Sequence, residues 1–124
     1  MFKRILQAVG LAQPDASKPP ETGRSPQWPK VRAAHLAAHP ACAACGTREH
    51  LNVHHVYPVS WPGGKVVELL ESNLLTLCEG PGRSCHFTFG HAYNWRSFNP
   101  CVREDADRFL QRVRNRPCQN EQLK

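Results

Sequence analysis

No stretch of the chain approaches the roughly 20 consecutive apolar residues that a membrane-spanning helix needs, so no membrane partner is expected. The amino terminus lacks a convincing signal-peptide core, because Gln7 interrupts the short apolar run from Phe2 to Ala12. A reducing, cytoplasmic setting is expected, where paired cysteines hold metal more often than they bond each other. Acidic residues are also few: ten stand against sixteen lysines and arginines, a formal charge of +6 that points to an anionic partner. Length is short as well, since 124 residues allow one domain and a core only if few elements share most of the apolar residues. No recognition helix stands out, so no sequence preference for a nucleic acid is readable.

Turn formers are abundant. Eleven prolines and eight glycines predict short elements joined by tight turns, and a domain of that kind often needs a metal to hold it. Residues 1–24 read as a basic segment, with a short amphipathic helix within 2–12, followed by a proline-rich linker; residues 25–118 read as the domain and 119–124 as a tail. Within the domain a helix is expected from about Pro29 to Ala38, ended by Pro40, with an apolar face of Val31, Ala34, Leu36 and Ala38. Strands are expected around Leu51–Val56 and Leu74–Leu77, with a loop or short strand over 65–72. A helix from near Cys85 to about Arg96 follows. A second, strongly amphipathic helix from Val102 to Arg114 has Val102, Ala106, Phe109, Leu110 and Val113 on one face. Its length would keep Cys101 and Cys118 beyond disulfide reach. The fold class is α+β.

Two cysteine pairs frame the middle of the chain. Cys42-Ala-Ala-Cys45-Gly46 reads as a knuckle that aims two thiolates at one ion, with Gly46 free to take positive φ. Cys78 and Cys85 would complete a four-cysteine structural Zn²⁺ site, although six residues separate them where two to four are usual; buried reduced thiols are the plainer alternative. Between the pairs lie the doublet His54-His55 in an alternating run, Asn73 before Leu-Leu-Thr-Leu-Cys, and the doublet Cys85-His86. His35 and His39, four apart on the first helix, could bind metal or could serve only in packing or solvation.

The ordered set Cys-x2-Cys, Leu-Asn-Val-His-His-Val-Tyr-Pro, Asn-Leu-Leu-Thr-Leu-Cys and Cys-His resembles the HNH endonuclease family over roughly Val31 to Asp107. The resemblance implies a ββα-metal core with structural zinc knuckles. It also implies roles: His54 and His86 as ligands of one catalytic divalent metal, His55 as general base and Asn73 as the residue that orients the base by bonding the first strand's backbone. An unperturbed imidazole pKa near 6.5 would suit His55 to that task. His91, five residues after His86, falls off the same face of an α-helix; it is open as a third ligand, a phosphate contact or a buried helix histidine. The short basic chain is similar to small HNH proteins of tailed phages and prophages, which implies DNA as substrate, hydrolysed by nicking or double-strand cleavage. That likeness also makes terminase or portal proteins possible partners.

Many family members have Asp where this chain has His54. Imidazoles without an obvious carboxylate make a softer site than Mg²⁺ prefers, so Mn²⁺, Ni²⁺ or Zn²⁺ are the other expected ions. Glu68 or Glu71 could supply the missing oxygen, but both are expected to face solvent. Lys65, Arg83 and Arg96 could meet phosphates, and Trp61, Trp95 and Tyr93 could stack on bases, although Trp95 is expected in the core. Two rival readings remain: a non-catalytic zinc module that binds nucleic acid or a packaging motor, and a disulfide-stapled secreted protein.

Overall fold

In the computed structural model the described residues are 23–115; the expected helix within 2–12, most of the linker, Cys118 and the tail lie outside them. The first helix, α1 (Trp28–Ala38), has Pro29 in its first turn, where a missing N–H costs nothing, and stops before Pro40. Its one buried residue is His35. The expected apolar face is therefore displaced: Ala34 and Ala38 are exposed and Val31 and Leu36 only half-buried. A histidine can take the inward position because Glu71 accepts a hydrogen bond from its Nδ1 at 2.7 Å, offsetting its desolvation.

Strands β1 (Leu51–His55) and β2 (Leu74–Cys78) pair antiparallel, with Leu51 opposite Cys78 and His55 opposite Leu74. A two-stranded sheet alone is marginal in water, so its faces need cover. The core that covers it is made of Cys42, Ala44, Leu77, Cys78, Cys85, Val102 and Ala106. Only two of these seven are large aliphatics, and three are cysteines. Its cohesion thus depends on what the thiols hold.

Between the strands the expected loop or strand over 65–72 is instead a short helix, α2 (Gly64–Val67), and a 3-10 turn, Glu71–Asn73. Gly64 makes this possible: a Cβ there would stand 2.2 Å from the Pro58 carbonyl oxygen. The tight packing also overturns the expected exposure of Glu68, which is 1% exposed. Its carboxylate accepts hydrogen bonds from the Ser25 backbone N–H at 2.8 Å and from Lys65 Nζ at 3.3 Å, while Lys65 also donates to the Gly23 carbonyl. A buried carboxylate is tolerable when its oxygens are matched in this way.

After β2 the expected helix to Arg96 is cut short. A single π-helical turn spans His86–Gly90, and Ala92 and Tyr93 then take positive φ of 51° and 65°, which ends it. Helix α3 (Val102–Asn115) matches the expected one closely, but only Val102 and Ala106 are buried; Phe109 and Val113 are exposed because the small core ends before their turn. Among the described residues no helix is long and apolar enough to cross a membrane.

Candidate metal centres and the histidine cavity

The four cysteines Cys42, Cys45, Cys78 and Cys85 bring their sulfurs within 4.8 Å of one another. The Cys45 and Cys78 sulfurs are 3.8 Å apart, the edge length of a tetrahedron with metal–sulfur bonds of about 2.3 Å. Local structure explains the convergence. Gly46 takes φ 79° and donates to the Cys42 carbonyl at 2.9 Å, closing the knuckle, while the Cys45 N–H points at the Cys42 sulfur at 3.5 Å. The six-residue insert folds back on itself through the Gly80–Arg83 bridge, so Cys85 returns to Cys78 and directs its N–H at that sulfur, also at 3.5 Å. The long spacing is thereby absorbed in a hairpin.

The cysteine electrostatics show the same crowding. A hydrogen bond from Cys85 draws the Cys42 thiol down to about 4, while the same contact drives Cys85 upward. Cys45 is raised by burial. Four sulfurs so placed share negative charge poorly among themselves, and a cation is the group that relieves it. The five described cysteines form no disulfide.

A second cluster joins His54, His86 and His91, again with donor atoms within 4.8 Å. His54 is seated in β1 against Gly90, where a Cβ would come within 2.8 Å of the ring. Neither of its nitrogens has a hydrogen-bond partner, although both are buried. The π turn supplies the other two. Its i→i+5 bond from His91 N–H to the His86 carbonyl, 3.1 Å, gives residues five apart a common face. This corrects the expectation that His91 falls off the face of His86, which assumed an α-helix.

The far nitrogens are held differently. His91 Nδ1–H donates to the Ser97 carbonyl at 2.7 Å, so its Nε2 carries the lone pair. His86 Nδ1 stands 3.5 Å from the Glu79 carboxylate, an ion-pair distance, and is buried without a hydrogen-bond partner. The two Nε2 atoms stand 3.2 Å apart, close enough for one N–H···N hydrogen bond. With both unprotonated the same pair could share a cation, since about 3.3 Å separates neighbouring ligands in a tetrahedral site with metal–nitrogen bonds of about 2.0 Å. Burial, reinforced by the neighbouring imidazoles, lowers His54 to about 3, and burial also lowers His86. All three donors fit a divalent ion.

His55, the next residue of the strand, is also buried but is held by different partners. Its Nε2–H donates to the Glu68 carbonyl at 2.9 Å and its ring lies 4.6 Å from that of Trp28. Nδ1 therefore keeps the lone pair. The expected pKa near 6.5 does not hold, because burial pulls it down to about 4 despite the carbonyl contact. Asn73, nearly buried, bridges two segments: its Oδ1 accepts from Tyr57 N–H at 2.8 Å, and its Nδ2 donates to the carbonyls of Tyr57 at 3.1 Å and Val67 at 3.2 Å. It thus clamps the end of β1 to α2, whose following residue Glu68 holds His55.

His54, His55, His86 and His91 all line one cavity of ≈ 300 Å³, with Arg24, Trp61 and Trp95 among its other walls. Trp95 is 52% exposed, not in the core; it leans on the His86 and His91 rings at 5.2 and 4.8 Å. Lys65 is committed to Glu68 and Gly23. Arg83 and Arg96 are exposed and do not line this cavity. Sequence reasoning missed Glu79 and Arg103. Glu79 follows Cys78 as His86 follows Cys85, so each doublet serves both clusters, and that adjacency was the available signal. Arg103 donates to the Ser72 and Leu74 carbonyls at 2.7 and 2.9 Å, bracing the turn that carries Asn73; no pattern in the sequence marks it.

No protein family, curated protein or solved structure matches the chain.

Proposed function

We propose that the chain is a divalent-metal-dependent endonuclease of the HNH type that hydrolyses DNA phosphodiester bonds. The observation that carries this reading is the shared cavity: a histidine triad with its donor atoms converging, and beside it a fourth histidine, His55, whose tautomer is set so that Nδ1 can take a proton. The four-cysteine site is structural on this reading, because protein fills all four positions. His54, His86 and His91 would hold the catalytic ion, which when bound supplies Lewis-acid stabilisation of the phosphate and the departing oxygen.

His55 takes a proton from water as the water oxygen attacks phosphorus in line; the phosphorus–O3′ bond breaks and the departing oxygen takes up a proton from solvent water, leaving 5′-phosphate and 3′-hydroxyl ends. With a pKa of about 4 the ring is unprotonated at neutral pH and so is available to accept. Asn73 keeps β1 and the Glu68 carbonyl in register with that ring. Arg24 at the cavity wall is placed to meet a phosphate, and Trp61 and Trp95 to meet bases or sugars. Participation in phage DNA packaging, with terminase or portal proteins as partners, extends the same reading.

Conversion of supercoiled plasmid tests it. Protein stripped of loosely held metal is assayed with Mn²⁺, Mg²⁺, Ni²⁺, Zn²⁺ or chelator, beside His55→Ala. Metal-dependent nicking abolished by the substitution, with the fold and tight zinc intact, is the expected result. Inert wild type that still retains DNA would overturn catalysis in favour of a non-catalytic zinc module.

A further inference from the structure

A second cavity, of ≈ 580 Å³, shares no lining residue with the histidine cavity. At its edge α1 ends with His35 and His39, four residues apart and hence on one face. The 3-10 turn brings Glu71 to the same place. His35 Nδ1–H donates to Glu71 Oε1 at 2.7 Å, and His39 Nε2 lies 3.4 Å from that same oxygen. One donor atom from each of the three residues falls within a 4.8 Å sphere of separation.

A buried histidine paired with an exposed carboxylate is, by itself, a brace between helix and turn. Three observations go further. A second imidazole addresses the same oxygen. Exposure is graded, with His35 anchored at 4% while His39 at 58% and Glu71 at 64% remain reachable from solvent. The remaining nitrogen of His35, Nε2, is buried without a partner, so the ring directs its polar chemistry through Nδ1 at Glu71.

We propose that His35, His39 and Glu71 form a third metal site, for a divalent ion of the zinc, cobalt or nickel type, with open positions facing the cavity. Two imidazoles and one carboxylate favour such ions over Mg²⁺ or Ca²⁺. Coordination moves the His35 hydrogen from Nδ1 to Nε2, where no acceptor waits, and Arg48, Arg103 and Arg114 line the same cavity. Both features make this the weakest of the three sites. The arginines also favour an anion, such as phosphate or chloride, on an open position. An ion here ties α1 to the turn that carries Asn73, two residues after Glu71.

Zinc titration of protein already holding metal at the cysteine and His54 clusters tests the proposal, followed by equilibrium metal content and by ¹⁵N spectra of the imidazoles. Two variants separate binding from folding: His39→Ala removes an exposed ring, and Glu71→Gln keeps an oxygen to accept from His35 while removing the charge. The expected result is one further equivalent of zinc in wild type, lost in both variants, with the His35 and His39 signals shifting together. Equal uptake by all three proteins overturns the proposal. So does a His39 shift without His35, which marks surface coordination only. The readout does not involve DNA cleavage, so the outcome is independent of the nuclease reading.

Discussion

His86 and His91 face each other through their Nε2 atoms at 3.2 Å, five residues apart on a π-helical turn, each with its other nitrogen turned to an oxygen. The α-helical spacing rule would have separated them. The extra residue in the turn makes His91 as well placed as His86 to hold an ion, and His91→Ala is therefore expected to weaken metal binding at the histidine cluster as severely as His86→Ala. Calorimetric titration of both variants with Zn²⁺ or Ni²⁺ checks this. Wild-type affinity in His91→Ala would remove it from the site.

Glu79 offers a sharper probe, since it is not among the three converging donors. Its carboxylate is held by Asn52 Nδ2 at 2.6 Å and faces His86 Nδ1. Partners of this kind orient a ligand ring and raise its basicity, and their loss typically costs about 10–100-fold in metal affinity. Glu79→Gln should lose affinity in that range at the histidine cluster while keeping the zinc of the cysteine site. A variant that binds as wild type does would show the carboxylate to be idle.

Removal of the cysteine-site metal should unfold the domain. Structural zinc sites contribute roughly 10–16 kcal/mol of apparent binding energy, comparable to or greater than the 5–15 kcal/mol total stability of ordinary domains. Three of the seven core residues here would be ligands of that site. Strong chelation, or Cys78→Ser, is expected to abolish the cooperative thermal transition followed by circular dichroism. A persistent sharp transition after complete zinc loss would mean that apolar packing suffices.

Acid should destabilise the fold through the buried imidazoles. His54 and His55 have folded-state pKa values of about 3 and about 4, below the unfolded value near 6.5. Both rings are neutral when folded, so the unfolded chain binds more protons below pH 6.5 and stability falls as pH drops. Between pH 7 and pH 6 the two together should cost roughly 1–1.5 kcal/mol in the absence of metal at the cluster. Urea midpoints at the two pH values, for wild type and His55→Gln, measure it; the variant should show a smaller change, with His54 and His86, both lowered by burial, supplying the remainder.

Asn73→Ala should cost about 2–3 kcal/mol, because it strips three hydrogen bonds that join Tyr57 and Val67 to the turn. Denaturant unfolding reads the loss directly. If stability is retained while nicking falls, Asn73 acts on the reaction rather than on the fold.

Much of this architecture was legible in the residues. Alternation around Val53 marked β1, the short apolar run Leu74–Leu77 marked β2, Pro29 and Pro40 bounded α1, and the apolar spacing from Val102 located α3, because each depends on a local pattern or on a residue that cannot continue an element. Cysteine pairing was also legible, since knuckles are built from short local turns. Tertiary structure alone decided which histidines meet. His91 reached the cluster through a π turn that no spacing rule encodes, and Glu68 went inside because Ser25 and Lys65, remote in sequence or on a turn, satisfied its oxygens. His35 turned inward for the same reason, with Glu71 as the compensating group. Buried polar groups are stable only where distant partners converge on them, and that convergence belongs to the folded chain.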